Sequence, residues 1–261
     1  MVLSFMETSM NPALLSTAVL GALTSLSLVT LDTEARANPR PLGFTYPYAT
    51  TANGQMEVEQ YLDLIPIDVT DAAGETSTRL RFDLQTELEL GLSDHWELGF
   101  YLVGRQPADG AYAFRGIKQR LRGRFAEEGD LPVDLGLYFE VAEYADKIEL
   151  EQKLILGKRL GSLLLLANLS FEQEIPYDGG EVEVVFNPSA GLSYAFTPAV
   201  SLGLEYRTDG EISELGDADH YLGPVLMLIS GEYFATVGGY AHVGGESDGD
   251  LWFRILLGIG L

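Results

Sequence analysis

The chain has 261 residues and no cysteine, and its 39 Asp plus Glu against 16 Lys plus Arg leave a net charge of -23. Such a balance repels nucleic acid unless one basic face dominates, and the missing thiols exclude a disulfide framework or a thiolate metal centre. Absence of thiols is also compatible with an oxidising compartment.

The first element in chain order is an apolar, small-residue stretch over 13–31 (ALLSTAVLGALTSLSLVTL). A polar stretch and then Ala35-Arg36-Ala37 followed by Asn38-Pro39 come after it. This pattern reads as a secretory signal peptide, residues 1–37, with an A-x-A site cleaved after Ala37. It departs from the usual form in carrying Glu7 and no Lys or Arg ahead of Ala13. The rival reading is a single transmembrane anchor of about 19 residues, long enough to span, but the many Ser and Thr residues and the small-x-small exit favour cleavage. Residues 38–54 are expected to be an N-terminal periplasmic segment, and 55–261 a β-barrel.

From Arg79 to Leu92 the sequence RLRFDLQTELELGL alternates without fault. Leu80, Phe82, Leu84, Thr86, Leu88, Leu90 and Leu92 share one side, and Arg79, Arg81, Asp83, Gln85, Glu87, Glu89 and Gly91 the other. A period of two stacks these positions on single faces of a pleated strand, whereas a helix would scatter them. At about 3.4 Å per residue the run spans about 48 Å, far beyond an ordinary globular strand. The same alternation marks strands around Met56 to Leu64, Trp96 to Val103, Ile117 to Phe125, Val133 to Val141, Ile148 to Leu156, Leu163 to Glu172, Glu181 to Phe196 and Val200 to Arg207. It weakens over 221–229 and 233–243, then returns from Leu251 to Leu261.

The strand total is about 12, and the links between strands alternate in length. Tight links are expected at 93–95, 126–132, 158–162, 197–198 and 230–232. Longer ones are expected at 66–78, 106–114, 144–146, 175–180, 208–219 and 244–250. With the N-terminus at the periplasm, this is mostly the short-turn, long-loop asymmetry of a membrane barrel, except that the third outer loop (144–146) is short and the second inner turn (126–132) is longer than ideal. The apolar faces carry no charge, and several outward aromatics (Trp96, Phe125, Tyr194, Phe196; Phe82, Phe171, Tyr206) fall near strand ends as a girdle would. Gln60, Gln119 and Gln152 fall on the apolar face without explanation. Periodicity alone also allows a water-soluble barrel or sandwich with the apolar face turned inward.

The leader, the long two-faced strands and a final strand (DLWFRILLGIGL) running to the last residue together resemble bacterial outer-membrane β-barrel proteins. The resemblance implies an all-β, antiparallel transmembrane β-barrel of about 12 strands in the cell outer membrane of a Gram-negative bacterium. Its implied partners are membrane lipid, lipopolysaccharide and the outer-membrane assembly machinery, with a homo-oligomer possible and no nucleic acid. The family usually ends on an aromatic residue; this chain ends on Leu261.

For function, Lys118, Arg120, Arg122 and Arg124, spaced by two, form a basic row on one face of one strand, and Arg79 and Arg81 join them in the lumen. Such a row conducts anionic solutes in selective pores. The alternative is an internal salt-bridge network with Glu97, Asp134 and Glu140 on neighbouring strands. No catalytic residue, cofactor or metal is expected. His95, His220 and His242 accompany no nucleophile motif, and the acidic loops at 209–219 and 246–250 match no calcium-binding spacing. The sequence therefore points to a porin-like channel or transporter for small solutes, or to a structural or adhesive barrel with a closed, salt-bridged lumen.

Overall fold

The computed structural model describes residues 37–245, 247 and 249–261; the expected leader, apart from Ala37, lies outside them. The strands are β1 (Met56–Thr70), β2 (Thr76–Gly91), β3 (Trp96–Gln106), β4 (Ala113–Arg124), β5 (Asp134–Tyr144), β6 (Lys147–Leu160) and β7 (Leu163–Pro176). They continue with β8 (Glu183–Phe186), β9 (Ser189–Thr197), β10 (Val200–Asp209), β11 (Asp219–Ser230), β12 (Tyr233–Gly244) and β13 (Leu251–Gly260).

Every pairing is antiparallel. The sheet closes because β13 returns to β1, with Glu57 opposite Gly260 and Leu64 opposite Phe253. β8 and β9 are one strand in two pieces. Both pair with β7 in a single register, Phe171 opposite Phe186 and Asn168 opposite Ser189, and only Asn187 and Pro188 separate them. Proline has no N–H to give the ladder. The result is a closed 12-strand antiparallel β-barrel, as the alternation predicts.

Strand parity decides what each face meets. The inner face is charged and buried: Glu59, Glu87 and Glu205 are 0% exposed. The outer face is apolar and open, with Leu102 59% and Phe139 48% exposed. A barrel with its grease outside and its charges inside is stable only where hydrocarbon wraps it, so the inverted, water-soluble arrangement is ruled out.

Two details differ from expectation. The first long link shrinks to 71–75, because β1 and β2 continue as a paired ribbon out to Thr70 opposite Thr76. The poorly alternating segments are full strands, β11 and β12, whose inner faces are themselves apolar or small: Tyr221, Val225, Phe234 and Tyr240 are buried there. Two of the three outward glutamines find hydrogen-bond partners on the neighbouring strand. Gln60 accepts from the Thr86 hydroxyl at 2.7 Å and donates to the Gln85 carbonyl at 2.6 Å, and the Gln152 and Gln173 amides bond each other at 3.1 Å. Gln119 remains exposed.

Placing a charge on the outer face should be costly. Leu102→Arg, in the middle of β3, is expected to destabilise the barrel by about 2–4 kcal/mol in lipid vesicles, measured by denaturant-induced unfolding and refolding. A neutral result would contradict the lipid-facing assignment.

Candidate functional site

The segment 38–52 does not lie outside the barrel as a periplasmic appendage. It enters the lumen from the end that carries the short turns and follows the inner wall around. Its order of contacts traces that path. Thr51 meets Glu97 of β3 (N–H to carboxylate, 2.5 Å) and Glu89 of β2 (2.7 Å). Tyr48 and Tyr46 pack with Tyr138 of β5 and Ile155 of β6. The backbone of Tyr46 is gripped by the Asn168 amide of β7, which accepts from its N–H at 2.7 Å and donates to its carbonyl at 3.1 Å. Gly43, Phe44 and Thr45 donate three consecutive N–H groups to the Glu205 carboxylate of β10, at 2.9, 2.9 and 2.6 Å. The Thr236 hydroxyl of β12 donates to the Arg40 carbonyl, and Asn38 reaches Glu57 of β1.

The physical reason is hydrogen-bond satisfaction. An extended segment with no ladder of its own carries N–H and C=O groups that cannot be buried unpaired. The charged inner wall offers acceptors at the right places. The apolar inner side of β11 and β12 gives the segment its hydrophobic seat, where Leu42 packs with Leu166, Tyr221, Val225 and Tyr240. Gly191 and Gly203 make room for it, since a Cβ at either position would come within 2.7 and 2.9 Å of the Leu42 side chain.

Beside this plug the lumen is filled by a charge cluster. Arg120 of β4 is 1% exposed and reaches Glu87 at 2.6 Å, Glu89, Glu97, and the Tyr101 hydroxyl at 2.8 Å. It crosses β3 at Gly99, where a Cβ would sit 2.6 Å from its side chain. Arg122 pairs with Glu97 at 2.7 Å. Arg40 of the plug enters the same cluster: it bonds the Tyr61 hydroxyl at 3.0 Å, lies 3.5 Å from Glu59 and stacks 3.5 Å above the Tyr46 ring.

The predicted basic row is thus distributed over distinct surroundings. Arg120 and Arg122 are fully enclosed in the cluster. Lys118 pairs with Glu140 at 3.0 Å and faces open space toward the long-loop end. Arg124 binds the Asp94 carbonyl and Glu127 at the short-turn rim. Arg79 pairs with Asp109 at 2.8 Å near the long loops, and Arg81 lies 3.4 Å from Asp83. Of the proposed acidic partners, Glu97 and Glu140 pair with the row, whereas Asp134 accepts the Gly129 N–H at 2.8 Å instead. Sequence reasoning missed Glu87 and Glu89 as partners and Arg40 altogether; parity puts Asn168 and Glu205 on the polar face of their strands but does not show that they hold the segment.

Above the plug the lumen opens as a cavity of about 390 Å³. Lys118, Arg105, Lys147, Glu149 and Tyr144 are among its walls, with Arg207, Arg254 and Trp252 on the opposite side. Phe44 lies between two guanidinium groups, with Arg254 3.8 Å and Arg207 4.4 Å from its ring centre. Arg254 is in turn held by Asp63, with both contacts at 2.6 Å. Among the described residues no histidine ring is bonded to a serine hydroxyl; His220 meets Tyr206 and His242 lies 3.4 Å from Asp219.

Removing Arg120 would leave Glu87, Glu89 and Glu97 buried around a void. Arg120→Ala should cost about 3–5 kcal/mol, the usual penalty for breaking a buried ion pair from one side, read as a lowered midpoint of unfolding. Glu205→Ala should strand three plug N–H groups at about 1–3 kcal/mol each. Its expected signature is faster hydrogen exchange confined to 38–52, with the barrel ladder unchanged.

No known family model and no curated protein matches this chain. Similar solved structures are outer-membrane channels. The porin NanC superposes with a TM-score of 0.54 at 7% identity, covering 79% of this chain and 100% of its own. The porin KdgM gives 0.53 at 8%, covering 78% and 98%. An outer membrane channel from Pseudomonas putida F1 gives 0.56 at 11%, covering 82% and 98%. At these identities the likeness is one of fold, and the chain has the fold of a bacterial outer-membrane β-barrel, closed by 12 antiparallel strands.

Proposed function

We propose that the protein is an outer-membrane channel for small polar solutes whose passage is controlled by the internal plug, residues 38–52. The observation that carries this reading is the asymmetry of the lumen: a charged cavity of about 390 Å³ lies at the long-loop end, and a second of about 210 Å³, sharing Lys118, Arg207 and Arg254 with it, is walled in part by Phe44 and Tyr46 of a segment that belongs to no strand. A barrel meant only as a wall has no need of a solvated, charge-lined vestibule. The long loops face outward in this reading, toward lipopolysaccharide, and the short turns face the periplasm, as in barrels inserted by the outer-membrane assembly machinery. The chemistry displayed to a solute is polar and of both signs, with Lys118, Arg105 and Lys147 beside Glu149 and Glu174.

The second reading, a structural barrel with a permanently closed lumen, is favoured by the enclosure of Arg40, Arg120 and Arg122 at the plug. Conductance in planar bilayers separates the two. The intact protein should pass little or intermittent current, and a variant lacking 38–52 should pass several-fold more. Silence from both folded proteins would remove the channel reading.

A further inference from the structure

The free end of the plug stops at a carboxylate with no counter-charge. Glu57 is 1% exposed, and its Oε2 accepts the Asn38 N–H at 2.6 Å while its Oε1 has no partner. Glu89 stands directly opposite it on β2, and Glu59 stands opposite Glu87. Like charges so placed repel, and the other members of the cluster are answered by cations. Glu59 has Arg40, Glu87 and Glu89 have Arg120, and Glu97 has Arg120 and Arg122. Among the described residues, Glu57 alone in this cluster has no cation within ion-pair reach. A buried carboxylate served by one amide N–H is poorly compensated.

The nitrogen it faces is that of the residue immediately after Ala35-Arg36-Ala37. We propose that the chain is cut between Ala37 and Asn38, and that the α-ammonium so formed is the missing cation, pairing with Glu57 to pin the end of the plug inside the barrel. The cut is a hydrolysis. Water adds across the Ala37–Asn38 peptide bond, the C–N bond breaks, Ala37 leaves as a carboxylate and the nitrogen of Asn38 retains the protons as –NH3+. A leader-removing endopeptidase supplies catalysis, and water is the only co-reactant. The amide gives Glu57 one proton to bond; the ammonium gives three, enough for the orphaned Oε1 as well. A start at Ala37 would instead put the charge beside the apolar cluster of Tyr61, Tyr101, Phe234 and Leu256, against which Ala37 packs. Maturation and plugging are then one event, because only the processed chain carries the charge that completes the lumen.

The test begins with the full-length chain expressed in the outer membrane of a Gram-negative host and purified folded in detergent. N-terminal sequencing should read Asn-Pro-Arg-Pro-Leu. An amine-reactive reagent at mildly alkaline pH should label the Asn38 α-amine about tenfold more slowly in the folded protein than in denaturant, because a buried ion pair keeps the nitrogen protonated and shielded. Acetylating that amine should weaken hydrogen-exchange protection of 38–52 in the wild-type sequence and have no further effect in Glu57→Gln. A mature chain that starts elsewhere would overturn the proposal. So would an α-amine as reactive folded as unfolded, or an acetylation effect equal in both backgrounds. If Glu57→Gln does not fold, the labelling of the wild-type chain decides alone. None of these readouts depends on whether the barrel conducts.

Discussion

A closed barrel in hydrocarbon can hide charge in one place only, its own lumen, and every charge placed there must find its partner there. The arrangement of this protein follows from that constraint. β1 and β2 set Glu57 opposite Glu89 and Glu59 opposite Glu87, an inner surface that would repel itself if left alone. Arg120 answers from two strands away, reaching past β3 over Gly99, and Arg40 answers from a segment that is not part of the wall at all. The wall and the plug are each electrostatically incomplete without the other.

The plug is held differently from a strand. Its backbone pairs with side chains, three N–H groups on Glu205 and a two-point grip by Asn168, instead of with a neighbouring ladder. Releasing it would cost those bonds, the buried pairing of Arg40 with Glu59 and the burial of Leu42, though none of these is a strand–strand hydrogen bond. In the proposed channel, that separation is what would let the obstruction move while the wall stays folded. Filling the pore with wall side chains alone would have made closure inseparable from the fold.

The cavity beyond the plug is built from the same currency of paired charge. Lys118 pairs with Glu140, Arg254 with Asp63 and Arg207 with Asp209, and the cavity itself is lined by six cationic and four acidic side chains. Phe44, Trp252 and Tyr144 set apolar faces among them.

Alternation by two, kept up over runs such as Arg79 to Leu92, was sufficient by itself to define long two-faced strands, and the lengths of the links between them favoured a membrane barrel over a sandwich. Each of these is a property of neighbouring residues along one ribbon. The basic row was also legible as a set of charges on one face, but not its division into Lys118 at an open cavity and Arg120 and Arg122 sealed beneath it. The weak alternation of β11 and β12 did carry a signal: their inner sides are apolar because Leu42 packs there. It could be interpreted only once something was known to lie inside. Tertiary structure alone decided that residues 38–52 occupy the lumen and that Glu205, Asn168 and Glu57 receive them. Those contacts join residues separated by up to 162 positions, and no local period encodes which acceptor a wandering backbone will find.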